Sequence, residues 1–201
     1  MAGGNTGTAK ESAEEVKRTW ANIQSGAIGL AHGVGEIGEN VDDTLEIVTS
    51  GVATPFTALY DLLQGKDPTS NDSTTAQMWK DTMGYVAEER VDNFFAELYN
   101  NTEYGRWLRE NASESFLPGG SAYEFSKGLG YTGGTIALGA AFGGSPAAMA
   151  LAGGTAGFGK GTQEYWANAR DNAKGKEWRT LDTGLKGLGY GFLNGGWEGT
   201  Q

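Results

Sequence analysis

From Gly128 to Gly159 the chain carries no charged side chain, and this run is bounded by Lys127 and Lys160. Twelve glycines fall between Gly128 and Gly161. They are mixed with alanine and a few large apolar residues rather than with serine and charge, which separates the stretch from a flexible linker. Ser121-Ala122-Tyr123-Glu124 is a capping-box pattern that predicts a helix from Ala122. Gly143-Gly144 predicts its end near Phe142, and Ser145-Pro146 supplies an N-cap with proline at the first helical position. The expectation is a Gly/Ala-rich helical hairpin over about 122–174, followed by a Gly-rich C-terminal segment.

Small residues in this region recur every fourth position, close to one helical turn. Ala122, Ser126, Gly130 and Gly134 form one file, and Thr135, Gly139 and Gly143 a second. Gly153, Gly157 and Gly161 form a third, and Gly187, Gly191, Gly195 and Gly199 a fourth. Each file is a groove that admits a neighbouring helix closely, and in lipid such spacing is an association motif. The glycines at 130, 134, 139, 143, 153, 157, 161, 187, 191 and 195 are therefore the expected helix-packing or membrane-facing positions. The uncharged arms, 15 and 14 residues long, reach only about 22 and 21 Å. That is short of the roughly 30 Å hydrocarbon core, so a pair of ordinary spans is not expected. A soluble hairpin buried under amphipathic helices and a hairpin that later enters a membrane both fit this length.

The N-terminal region, 1–65, reads as an acidic amphipathic helical region once past a disordered start at residues 1–9. Val16, Trp20, Ile23, Ala27, Leu30, Val34, Ile37 and Val41 alternate steps of four and three, a heptad-like seam that Leu45, Val48 and Val52 continue. Glycines 26, 29, 33, 35 and 38 interrupt it, and a helix keeps so many only where something packs closely on it or where it bends. Pro55 predicts a break, with a short helix after it ending at Gly65. The polar run 66–75 is the internal boundary, and 75–201 is the second region. It should begin with one helix over Ala76–Tyr99 and a short helix capped by Thr102, and then turn at Pro118-Gly119-Gly120. No segment alternates like a strand, so the expected fold is all-α: a long amphipathic N-terminal helix packed with a helical bundle around the hairpin.

Charge and composition exclude several functions. The net charge is −10, with residues 1–75 at −7, 76–127 at −4 and 128–201 at +1, so nucleic acid is not an expected partner. There is no cysteine, hence no disulfide and no thiolate chemistry. The start lacks a basic segment followed by an apolar run, so no Sec signal peptide is expected.

Three patterns resemble sites without their context. Gly154 to Gln163 has P-loop spacing, but the preceding Ala147–Ala152 reads as helix where a strand is required. Gly128-Leu129-Gly130-Tyr131-Thr132-Gly133 fits a dinucleotide fingerprint, again without a strand. His32 and Glu36 stand four apart, but one histidine with no further ligand reads as an ordinary satisfied or exposed side chain. Glu88, Glu89 and Asp92 read as a solvated acidic face. No catalytic residue, cofactor or metal is expected, and the chain reads as non-enzymatic.

Two C-terminal stretches carry a resemblance. Residues 157–167 (GFGKGTQEYWA) and 187–199 (GLGYGFLNGGWEG) look like a module found in long exported proteins of Gram-positive bacteria. Residues 93–105 (NFFAELYNNTEYG) are similar to the segment that precedes it there. The family is that of the polymorphic toxins, including LXG-type substrates of type VII secretion with a glycine-zipper region. The resemblance covers roughly residues 75–201. It implies a central pre-toxin module between a targeting region and a variable toxic domain, a secreted or membrane-associated location, and a part in membrane insertion, pore formation or translocation. It also implies partners such as other helices of a larger polypeptide or further copies of the chain, a membrane, and an immunity protein or secretion chaperone. Neither an LXG targeting domain nor a C-terminal enzyme is visible, so the expectation is a fragment or a minimal toxin. The alternative is a structural or interaction module, such as a scaffold in a phage-derived injection or tail assembly.

Overall fold

The computed structural model describes residues 6–112 and 120–198, with side chains described for 10–112 and 120–197. Among them the chain is all-α, with no β-strand. The helices are α1 (Thr6–Leu63), α2 (Thr74–Val86), α3 (Arg90–Ala96), α4 (Glu103–Asn111), α5 (Ala122–Ala141), α6 (Pro146–Asn172) and α7 (Leu181–Glu198), with a π-helical turn over Glu97–Asn101. The expected turn at Pro118-Gly119, the last glycine of the fourth file (Gly199) and residues 1–5 lie outside the described residues. The chain forms two compact units, each built from two segments: Met1–Glu36 with Arg90–Gly134, and Ile37–Glu89 with Thr135–Gln201.

Local signals set most helix ends. Ser73, Thr102 and Ser145 each accept a bond from a backbone N–H of the first turn they cap, at Ala76, Gly105 and Ala148. The N–H of Glu124 reaches the Ser121 hydroxyl at 3.3 Å to start α5. Gly143 and Gly144 take positive φ between α5 and α6, and Gly65 does so after α1.

Three expectations about helix bounds fail. Helix α1 starts at Thr6, inside the stretch read as disordered, and it runs through Pro55 without a break. Hydroxyls hold the backbone around the proline: Thr54 donates to the Ser50 carbonyl (2.8 Å) and Thr57 to that of Thr54 (3.1 Å). Helix α2 pins the same turns from outside, with Trp79 Nε1–H donating to Thr54 Oγ1 (2.9 Å) and Ser50 sharing a hydrogen bond with Thr82 (2.7 Å). The single helix expected over 76–99 is divided at 87–89 into α2 and α3. There the Ala87 carbonyl accepts from Arg170 (2.6 Å) and the Glu88 carbonyl from Gln163 (3.5 Å), so side chains of α6 take up carbonyls that a continuous helix would use itself.

In the first unit α1 and α5 meet backbone to backbone. A methyl on Gly29 would overlap the Tyr123 carbonyl, one on Gly33 the Lys127 carbonyl, and one on Gly130 the Leu30 carbonyl. Gly26 faces Ser126 in the same row. Leu108 of α4 is fully buried, and Gly105 lies against the carbonyls of Leu98 and Tyr99.

The second unit repeats the device. Helices α6 and α7 run antiparallel, with Gly154 beside Gly195, Phe158 and Thr162 beside Gly191, and Trp166 beside Gly187. On another side of α6, Gly159 abuts the Asn40 carbonyl of α1, and Thr44 donates to the Thr155 carbonyl at 2.8 Å. The small apolar core is Ile47, Met83, Val86, Ala87 and Trp166. Asp61 caps α2 by accepting from the backbone N–H of Thr74 (2.8 Å) and Thr75 (2.9 Å). Burial opposes its charge, but these bonds and those of the two hydroxyls bring its pKa down to about 2.

Of the apolar seam of α1 only Ile37 is buried and Val41 half-buried, so the seam as a whole does not form the inner face, which is the main departure from the sequence reading. In the first unit Val16, Trp20, Ile23, Leu30 and Val34 are exposed while Ala21, Ser25, Gly29, His32 and Gly33 are buried. In the second, Leu45, Val48, Val52, Phe56 and Leu59 are exposed while Asn40, Asp43, Ile47 and Ser50 are buried. Only the glycine and small polar face lets another backbone come this close, so the bulky residues are turned outward. Two kinds of glycine follow. Gly33→Val and Gly191→Val should each lower stability by about 3 kcal/mol or more through forced separation of helices. Gly38→Ala, in a helix with nothing within 4 Å of the added methyl, should raise it by up to about 1 kcal/mol. Urea denaturation followed by circular dichroism measures both.

Candidate functional site

A dense polar constellation lies in the first unit around His32. Nδ1 lies 2.5 Å from the Tyr123 hydroxyl of α5, and Nε2 lies 2.6 Å from Asp92 Oδ1 of α3. The ring is buried and stacks on Phe95, centroids 4.5 Å apart and 11° from parallel. Tyr123 stacks in turn on Tyr99 at 4.3 Å. Lys127 Nζ binds Glu36 Oε1 (3.0 Å) and Asp92 Oδ1 (3.2 Å). Glycines 29, 33 and 130 allow this arrangement, because they bring α1 and α5 close enough for short reaches between side chains.

The hydrogen bond from His32 and the charge of Lys127 outweigh burial and hold Asp92 at about 2. Burial pushes the Tyr123 phenol up to about 12. Burial works against the charge of Lys127, but Glu36 and Asp92 raise its pKa above the usual lysine value. The geometry suits a ring proton on Nε2, donated to the ionised Asp92, with Nδ1 accepting from the Tyr123 phenol. The result is a carboxylate–imidazole–phenol chain with each group satisfied, tying α1, α3 and α5 together.

His32, Glu36 and Asp92 also place one potential ligand atom each within 4.8 Å of one another. One nitrogen and two carboxylates suit a divalent cation in number and type. The ammonium of Lys127 already bonds both carboxylates, so the chain supplies its own cation there. Sequence spacing paired His32 with Glu36 but read Asp92 as part of a solvated face, Tyr123 as part of the cap of α5 and Lys127 as the boundary of the uncharged run, and it joined none of these three to His32. These partners are 60, 91 and 95 residues from His32, and no local pattern connects them.

The glycines singled out by spacing are distributed as follows. Gly130 is buried against α1, whereas Gly134 is only half-buried. Gly139 is buried against Met149 across the hairpin, and Gly143 lies in the turn with nothing near it. Gly153, Gly157 and Gly161 are buried in α6, with Gly161 against Asn194 of α7. Gly187, Gly191 and Gly195 line the α7 side of the same contact. Residues 154–163 lie wholly inside α6, and 128–133 inside α5. Their backbone N–H groups are spent in helical bonds and form no phosphate cradle.

Two open grooves flank these glycine contacts. In the first unit, Thr19, Ile23, Gly26, Leu30, Ala122 and Ser126 border a space of about 420 Å³. In the second, Val48, Leu151, Gly154, Phe158, Phe192 and Gly195 border one of about 330 Å³. No charged residue lines either. Among the described residues, no helix is long and apolar enough to cross a membrane. Comparison with family models, curated proteins and solved structures gives no match.

The Asp92 chain carries a pH signature. The depressed pKa means its contribution to stability is whole above the ordinary aspartate range and is lost as pH falls from about 4 toward 2. Asp92→Asn should therefore melt lower than the parent at pH 7, and the gap should close through that acid range. A pH series of thermal melts reads this directly.

Proposed function

We propose that this chain is a non-enzymatic helical module of a bacterial exported, toxin-like protein that acts at membranes through its Gly-rich helices. The observation that carries the reading is the outward placement of the large apolar side chains. Val16, Phe56 and Leu63 are 70%, 72% and 76% exposed, as are Leu193 and Trp197 at 74% and 69%, while glycine, alanine and small polar residues fill the contacts. In water such surfaces need a cover. In lipid they need none, and close glycine packing is then a main means of holding helices together. The resemblance of residues 157–167 and 187–199 to the polymorphic toxins points the same way. Since no described helix can span the bilayer alone, the reading is of partial insertion or of insertion by several copies.

A structural or interaction module is the second reading, and the regular apolar steps along α1 favour it, because they would serve another helix as well as lipid. The two readings part in one pair of measurements. The membrane reading expects the chain to float with phosphatidylcholine vesicles and to release an entrapped dye. No flotation and no release, together with a stable oligomer by light scattering without lipid, would replace it with the scaffold.

A further inference from the structure

The early turns of α1 are uncovered: every residue from Lys10 to Trp20 is exposed. An isolated helix of this length is marginal in water and gains most from a surface to pack on. The next turns of the same helix offer one. From Thr19 to Gly35 α1 has no Asp, Glu, Lys or Arg, and its one histidine is buried. Along this stretch of about 25 Å, Ile23, Leu30 and Val34 are exposed. The open groove beside them, bordered by Gly26, Ala122 and Ser126, has no charged lining. The two stretches share one pattern. Val16, Trp20, Ile23, Ala27, Leu30 and Val34 step by four and three, the spacing by which two helices interlock their side chains over a long contact. Contact with lipid requires an apolar face but not this register.

A second copy of the chain supplies a matching face, and side-chain size sets its direction. In a parallel pair Trp20 would meet Trp20 and Ala27 would meet Ala27, a bulge beside a gap. An antiparallel pair centred between Trp20 and Ile23 sets Trp20 against the partner's Ile23 and Val16 against the partner's Ala27, which evens the layers. It also lays the uncovered turns of each copy along the uncharged turns of the other. At the edge of the seam Lys17 then flanks the partner's Gln24 and Lys10 the partner's Ala31, so no like charges are brought together there.

Charge and area agree with such a pair. The first unit has 7 basic and 10 acidic side chains, so only −3 of the net charge of −10 lies in it. The exposed parts of Val16, Trp20, Ile23, Leu30 and Val34 come to on the order of 500 Å² per copy, or roughly 1,000 Å² for the pair, the lower limit for a specific interface. A dissociation constant on the order of micromolar goes with that size.

We propose that the apolar seam of α1 from Val16 to Val34 is a self-association surface, which pairs antiparallel with the same seam of a second copy of this chain. The inference rests on the first unit alone and does not depend on the membrane reading.

Sedimentation of the full chain without lipid should show a monomer–dimer equilibrium between about 1 and 100 µM. Trp20→Glu with Ile23→Glu should weaken the dimer about a hundredfold or more while leaving the helical circular dichroism intact, because both side chains are exposed. The chain has no cysteine, so Lys10→Cys carries a single nitroxide label that reads the direction. In the antiparallel pair the two labels should lie about 35 Å apart by electron–electron resonance, against under about 20 Å in a parallel one. A monomer throughout the concentration range would overturn the proposal, as would a dimer that survives the double substitution. A short distance between labels would overturn the antiparallel arrangement. A dimer that floats with vesicles keeps both this inference and the membrane reading, whereas a dimer that does not float keeps this inference and removes that reading.

Discussion

The structure depends on close approach of helix backbones at glycine. On α1, Gly29 and Gly33 sit against carbonyls of α5, and Gly130 answers from the other side. On α7, Gly187, Gly191 and Gly195 do the same against α6. Contacts of this kind gain from dispersion over many short distances rather than from burial of large side chains. They also carry a steric demand that no repacking of side chains can relieve, because the opposing atoms are backbone. The glycines weaken each helix by itself, so the helices and their pairing stand or fall together.

This choice of contact determines what remains outside. On α1 the tightly packed face is taken by glycine, alanine, serine and asparagine. Most large apolar residues of α1 and α7 are left on the other faces, while Ile37 and Ile47 of α1 are buried and Leu188 of α7 packs on the core. A soluble domain with an ordinary core would reverse this arrangement. The buried apolar cluster around Trp166 is small, and much of the remaining interior is polar: Ser25, His32, Asn40, Asp43 and Ser50 are all buried. Such an interior makes hydrogen bonding decisive, which accounts for the paired His32–Asp92–Tyr123 chain and for the carboxylate of Asp61 capping α2.

The outward surface is also where the chain differs most along its length. The His32 network and its ion pairs belong to the first unit, whose function on this reading is cohesion. The second unit carries the uncharged turn and the exposed aromatic residues of α7.

The sequence by itself determined what is local. Helix content, the caps at Thr102, Ser121 and Ser145, the turn at Gly143-Gly144 and the four files of small residues all follow from neighbouring residues acting on one another within a turn or two. The tertiary structure decided what depends on distant partners. It alone set which face of α1 packs, because periodicity marks an apolar stripe without saying whether glycine on another stripe offers closer contact. It carried α1 through Pro55, because α2 brings Trp79 and Thr82 to the turns around the proline. It joined His32 to Asp92, Tyr123 and Lys127, whose meeting is set by the approach of α1, α3 and α5 and not by any spacing along the chain. It also set the register of α6 on α7, with Gly154 beside Gly195 and Trp166 beside Gly187, which no spacing along the chain specifies.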